Sequence, residues 1–208
     1  MNIFAVSSNP VTSAQQLIDK HVVKMPTESC QMLHTNMLYF MFVSAHQREP
    51  SLKELKEFHA KSHYRYLMKP AMLNHPSTIW ARETKANYMW LYQHALALCE
   101  EYTYRYGKEH GSQKRILDSV TFDFNPVDMT PLNIAMDNVY RLDREQYFID
   151  NPNLGDWDYV IECYQNYYIK GKYAFASWKK RDAPAWFDFT YGNEIERKRR
   201  ERIMQRLR

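Results

Sequence analysis

Glycine is the residue this chain nearly does without: there are five in 208. Left-handed turns and phosphate-cradling loops draw on glycine, because it alone adopts positive φ without a side-chain clash. The scarcity argues against a dinucleotide-binding βαβ fold, a P-loop fold and an all-β fold. Long side chains at helical spacing are what remain. Hydrophobic residues make up 45% of the chain, and sixteen tyrosines lead a 15% aromatic share, enough to fill a real core in one domain. The expected fold is all-α: a single helical domain with a long central helix and a basic C-terminal helical arm.

The punctuation supports that reading. Met1 to Val6 is short and apolar, a strand or an extended lead-in. Asn9-Pro10 looks like a helix start, with Asn9 as cap and Pro10 at the first helical position. That helix is expected to run on through residues 19–28, with a kink or restart near Met25 where Pro26 lacks a backbone donor. Gln31 to Val43 continues as an apolar, methionine-rich helix, and a further helix is expected within Leu52 to Met68. Asn74-His75-Pro76-Ser77 marks a turn and a new start. From Thr78 to Tyr106 one long helix is expected, closed by Gly107. Its apolar side holds Trp80, Leu91, Ala95, Leu98 and Tyr102. Glu83, Asn87, His94, Glu101 and Arg105 form a second, polar stripe that faces solvent or lines a cleft. Residues 111–155 should be loops with short helices, and Trp157 to Lys170 a further helix.

Charge is placed unevenly. The net is +4, and residues 193–208 alone carry seven Lys/Arg against three Glu. Residues 1–192 therefore form a charge-balanced domain, and 193–208 a basic tail containing Arg197, Lys198, Arg199 and Arg200. The tail is either a solvated terminal helix or an arm for nucleic acid, whose grip would weaken with salt. Cys30, Cys99 and Cys163 are odd in number and far apart, which fits buried free thiols in a reducing cytoplasm. No leader opens the sequence and no apolar run reaches membrane-spanning length.

The chemistry concentrates in Asp19-Lys20-His21-Val22-Val23-Lys24-Met25-Pro26-Thr27-Glu28. His21, Lys24 and Glu28 stand at i, i+3 and i+7, so a helix puts them on one face. Glu28 and His21 are the natural proton carriers, and Lys20 or Lys24 an electrophile or amine nucleophile. The plain alternative is that Lys24 and Glu28 are an exposed i, i+4 ion pair. Arg82, Arg105 and Lys108 suit phosphate. Trp178, Lys179, Lys180 and Arg181, with Tyr173 and Phe175 before them, offer stacking faces beside cations, as proteins that grip unpaired bases do; the same run would also serve as an aromatic core edge. His59 and His63 sit four apart without a metalloprotease pattern. No finger spacing, nucleophile elbow or phosphate loop appears, and no metal or cofactor is expected.

Three blocks, Asp19 to Met25, Asn74 to Glu83 and Cys99 to Lys108, together resemble a group of phage-encoded proteins. More distantly, the pattern is similar to the phage pyrimidine-dimer DNA glycosylases of the endonuclease V type, small all-α enzymes that excise a damaged pyrimidine and cut the abasic site. In that family a histidine is followed seven residues later by the catalytic glutamate, as His21 is by Glu28. A later Asn-His turn and a long helix ending in Glu and Arg-Gly resemble Asn74-His75, Glu101 and Arg105 to Gly107. The family's nucleophile is the α-amine of a small residue exposed by removal of the initiator Met, and an arginine precedes its glutamate. Here the second residue is Asn2, Thr27 precedes Glu28, and Pro26 lies between.

The resemblance implies a DNA-processing enzyme acting on a flipped base, with double-stranded DNA as partner, in the cytoplasm of an infected bacterium. Its catalytic group would be Glu28 with His21, and Lys20, Lys24 or water as nucleophile. His75, Arg82, Asn87, Arg105, Lys108, residues 178–181 and the tail cations would hold the nucleic acid. Two other readings stay open: a non-catalytic phage protein binding nucleic acid or a host protein, and an enzyme of free nucleotides. Convergence of Glu28, His75 and Glu101 on one cleft would favour the first.

Overall fold

The computed structural model describes residues 2–61, 63–119, 122, 124 and 128–206, the last turn of the tail without all of its side chains. It is all-α, and no strand occurs among the described residues. The order is α1 (Pro10–Gln16), α2 (Asp19–His46), α3 (Leu52–Lys61), α4 (Pro76–Glu83), α5 (Lys85–Tyr106), α6 (Gln113–Leu117), α7 (Arg144–Asp150), α8 (Asp156–Tyr167) and α9 (Thr190–Arg206). Short 3₁₀ turns stand at His63–Tyr66, Asn138–Tyr140 and Tyr173–Phe175, and α8 runs into a π-helical turn at Tyr168–Lys172.

Asn9 caps α1, its Oδ1 accepting from the Val11 and Thr12 amides, with Pro10 at the first position. The helix then stops sooner than expected. Leu17 and Ile18 turn extended, and α2 begins afresh at Asp19. Both side chains are fully buried, so the break lets one short helix and one long helix share a core. Pro26 neither ends nor restarts α2, which carries on to His46. Pro26 is buried, and one turn before it the Val23 carbonyl meets His110 Nε2 at 3.1 Å.

The long helix expected over residues 78–106 is two. Thr84 adopts an extended conformation between them, and its Oγ1 accepts from the Asn87 amide at 3.0 Å, capping α5. Gly107 closes α5 in the left-handed region at φ 72°. α5 is the central helix, packed against α1, α2, α4 and α6. That position explains its second stripe. Asn87, His94, Glu101 and Arg105 are each 2% exposed or less, so the stripe is interior, facing neither solvent nor cleft; Glu83 alone is exposed.

One core unites Ile3 to Val6, α1, the first half of α2, α4, α5 and α8. A smaller one lies under α3, around Leu38, Phe42 and Leu55. All three cysteines are free and buried. The tail is helical, as expected, starting at Thr190 with Tyr191 against Tyr173. Its side chains pair within the helix: Lys198 with Glu194 at 2.6 Å and Arg197 with Glu201 at 3.1 Å. Residues 207 and 208 of the tail lie outside the described residues. No described helix is long and apolar enough to cross a membrane.

Candidate functional site

The N-terminal segment runs extended along the first two turns of α2, in the opposite direction. Phe4 stacks on His21, ring centroids 4.2 Å apart and planes 13° from parallel. Two residues earlier, the Asn2 backbone N–H donates to Glu28 Oε2 at 3.1 Å. The i, i+7 spacing does put His21 and Glu28 on one face, and that face is covered by residues 2–4. Lys24 Nζ reaches the other carboxylate oxygen, Oε1, at 2.9 Å, with its own side chain 68% exposed against 17% for Glu28. The ion pair read as the plain alternative therefore exists, but one of its members is largely withdrawn from water and holds a second nitrogen.

His21 is a neutral imidazole. Burial, helped by Lys172 and Lys24, drives its pKa from 6.5 to about 3. Its Nδ1 is hydrogen-bonded to the Tyr168 hydroxyl, whose own proton burial holds firmly. Two neutral groups thus share this bond, its direction set by the imidazole tautomer. A neutral ring pinned by a hydrogen bond and a stack orients its neighbours and carries no charge.

His75 caps α4, its Nδ1 accepting from the Ser77 amide at 3.2 Å. It is near enough to Glu28 for the carboxylate to raise its pKa, against a stronger lowering by burial. Glu101 does not join them. It receives Arg181 through two bonds, Nε at 2.8 Å and Nη2 at 2.7 Å, and Arg105 Nε at 2.7 Å. Arg105 in turn binds Asp19, at the far end of the motif, nine residues from Glu28 and so about 13 Å along the helix axis.

Several residues expected on nucleic acid are structural instead. Arg105 is wholly buried and spends four N–H bonds on Glu101, Asp19, Leu17 O and Gln15 O. Asn87, also wholly buried, ties Trp80 O and Thr130 to α5. Arg82 is half-buried, donates to Leu73 O at 2.7 Å and lies over the Tyr39 ring. Trp178 donates to Gln16 O at 2.9 Å and packs on Phe187. None of these four presents a free cation or ring edge to a phosphate.

The remaining cations stay at the surface. Lys179 and Lys180 are exposed over Tyr106 and Tyr104, Arg181 lies over Tyr104, and Lys108 is exposed near Tyr102. Lys20 is exposed too, with Nζ 4.2 Å above the Phe175 ring. That holds it to the aromatic segment after α8 and away from the Glu28 carboxylate. Arg197, Lys198, Arg199 and Arg200 line the exposed tail helix. Among the described residues no three His, Cys, Asp or Glu side chains are gathered to hold a metal.

Sequence reasoning missed Phe4, Tyr164, Tyr168 and Lys172 as parts of this site, and read Asn2 only as a departure from the family's small second residue. Pairing across more than 140 positions leaves no local spacing to read.

The fold and site define an all-α protein with a half-buried carboxylate that holds two nitrogens, two turns along α2 from a neutral histidine fixed by Phe4 and Tyr168. Residues 1–114, more than half of the chain, match the family model described as pyrimidine dimer DNA glycosylase. The chain belongs to that family of DNA glycosylases. No curated protein and no solved structure gives a significant match.

Proposed function

We propose that this chain releases a base from duplex DNA after turning it out of the helix, with Glu28 as the group that manages charge and protons at the sugar. The observation that carries the reading is the Glu28 carboxylate, half-buried and held on one oxygen by Lys24 Nζ and on the other by Asn2 N. Base release breaks the C1′–N bond, and the electron pair leaves with the base. The sugar becomes electron-poor, and a carboxylate out of bulk water stabilises that charge strongly. The attacking group forms the new bond to C1′, and Glu28 accepts the proton it sheds.

Two attackers suit the geometry: a water held by Glu28, or the nitrogen of Asn2 in chains where residue 1 has been removed and that nitrogen is a primary amine. An amine would form a Schiff base and permit strand cleavage; water would release the base alone. Lys24 serves as the counter-ion of Glu28, and His21 as the orienting ring. Lys20, Lys108, Lys179 and Lys180 are proposed to meet phosphates.

The test is cleavage of the C1′–N bond in duplex DNA carrying a cyclobutane pyrimidine dimer, read as an alkali-labile abasic site because the released base stays bonded to its dimer partner, with borohydride trapping alongside. Release that vanishes in Glu28→Gln supports the reading. Trapped protein–DNA adduct names the amine; release without adduct names water. DNA binding without release in the parent, unchanged in Glu28→Gln, would reject catalysis and leave a nucleic-acid-binding protein.

A further inference from the structure

The side chain of Asn2 is held as closely as its backbone. Its Nδ2 donates to Ala135 O at 2.8 Å. Ala135 N donates to the Tyr164 hydroxyl at 3.3 Å, and that hydroxyl donates to Asn2 Oδ1 at 3.2 Å. Three hydrogen bonds close a ring through Asn2, Ala135 and Tyr164. The Ile3 amide adds a fourth, to Asn2 Oδ1 at 2.8 Å. Tyr164 is fully buried, and its ring packs edge-on against Phe4, 5.9 Å between centroids. Burial pushes the phenol pKa up, so the hydroxyl keeps the proton it donates.

Both partners of Asn2 in this ring come from beyond residue 114, where the family match ends. The family-matched part supplies Glu28, and the rest of the chain supplies the grip on the residue opposite. An asparagine is suited to that grip, because a single side chain offers both a donor and an acceptor.

We propose that Tyr164 is a positioning residue for the reaction at Glu28, acting through the side chain of Asn2 to fix the Asn2 nitrogen at the carboxylate. The inference rests on the reading of Glu28 given above. A small misplacement of a reacting group costs rate more than it costs binding, so the effect should fall on turnover.

Tyr164→Phe keeps the ring and removes the hydroxyl. Single-turnover formation of abasic sites in dimer-containing duplex should fall about tenfold, with the Kd for that duplex unchanged. Asn2→Leu, which keeps a large second residue and removes the amide, should give a similar loss, and the double variant no more than about tenfold, because both changes break one linkage. An unchanged rate in Tyr164→Phe, or losses that multiply to about a hundredfold in the double variant, overturns the proposal. Should Tyr164→Phe not fold, Asn2→Leu decides alone: an unchanged rate rejects the clamp. Glu28→Gln, run in parallel, separates the two ideas. If it abolishes release while Tyr164→Phe is normal, only the clamp is lost; if it has no effect, the reading of Glu28 falls and the clamp with it.

Discussion

Glu28 receives the backbone nitrogen of Asn2 at 3.1 Å while its other oxygen binds Lys24 at 2.9 Å. A carboxylate gripped on both oxygens has a fixed plane, and its exposure of 17% limits the water that would otherwise blunt its charge. The first expected outcome follows from this. Glu28→Gln should cut base release by roughly 10²–10⁴, with a thermal midpoint close to the parent's. Loss of fold in that variant, or full activity, would each contradict the role given to the carboxylate.

Lys24 and Lys20 should behave differently on substitution. Lys24→Met removes the ammonium that binds Glu28 Oε1 and should lower the rate of release. Lys20→Met removes a surface cation lying over Phe175 and should weaken duplex binding at low salt, with little change in single-turnover rate at saturating DNA. Equal rate losses in the two would count against this division.

The Arg105 network should be a stability element. Arg105→Met takes the buried guanidinium from Asp19 and leaves Glu101 to Arg181 alone, and breaking such a buried pair costs about 3–5 kcal/mol. Urea unfolding measures it directly. Any fall in activity should then track the unfolded fraction and recover on cooling.

Two buried histidines should make the fold sensitive to acid. His21 and His94 both have pKa values lowered to about 3, in each case chiefly by burial. In the unfolded chain they take up a proton near pH 6.5, which the folded form resists. Their stabilising neutrality is complete above pH 6.5 and is lost progressively as pH falls toward 3. Each should cost on the order of 1–2 kcal/mol between pH 7 and pH 5. His94 is the cleaner probe, since neither ring nitrogen has a hydrogen-bond partner among the described residues. His94→Leu should shrink the pH 7 to pH 5 difference in urea stability by about that amount; an unaltered difference would show that His94 takes up its proton without unfolding.

Deletion of residues 193–208 tests the tail. If it is an arm on DNA, the slope of log affinity against log salt should flatten, because fewer counterions are released. An equal slope with and without the tail would make α9 a solvated helix whose cations are satisfied by Glu194, Glu196 and Glu201.

What could be read in the chain beforehand was local. Asn9-Pro10 and Gly107 marked helix ends because capping depends on neighbours in sequence. The face shared by His21 and Glu28 followed from helical period alone. The breaks at Leu17–Ile18 and Thr84 did not, because each is set by a core that several helices share. The restart expected at Pro26 does not occur for the same reason: tertiary packing carries α2 through a residue that would disrupt an isolated helix. Arg105 and Asn87 looked like surface polar groups and prove to be interior ones, which only their partners across the fold reveal. Asn2 read as an obstacle to the family's amine chemistry. In three dimensions it is the residue opposite the glutamate.

The grip on Asn2 reaches 162 positions down the chain to Tyr164, and that separation sets an order of events during synthesis. A ribosome adding about 5–20 residues per second needs roughly 8–30 s to travel from one to the other. Through that interval α2 can already be wound, with Glu28 in place, while the side chain of the residue opposite still lacks its ring partner Tyr164. The centre is therefore finished late, and a truncated polypeptide carries the glutamate without the completed centre.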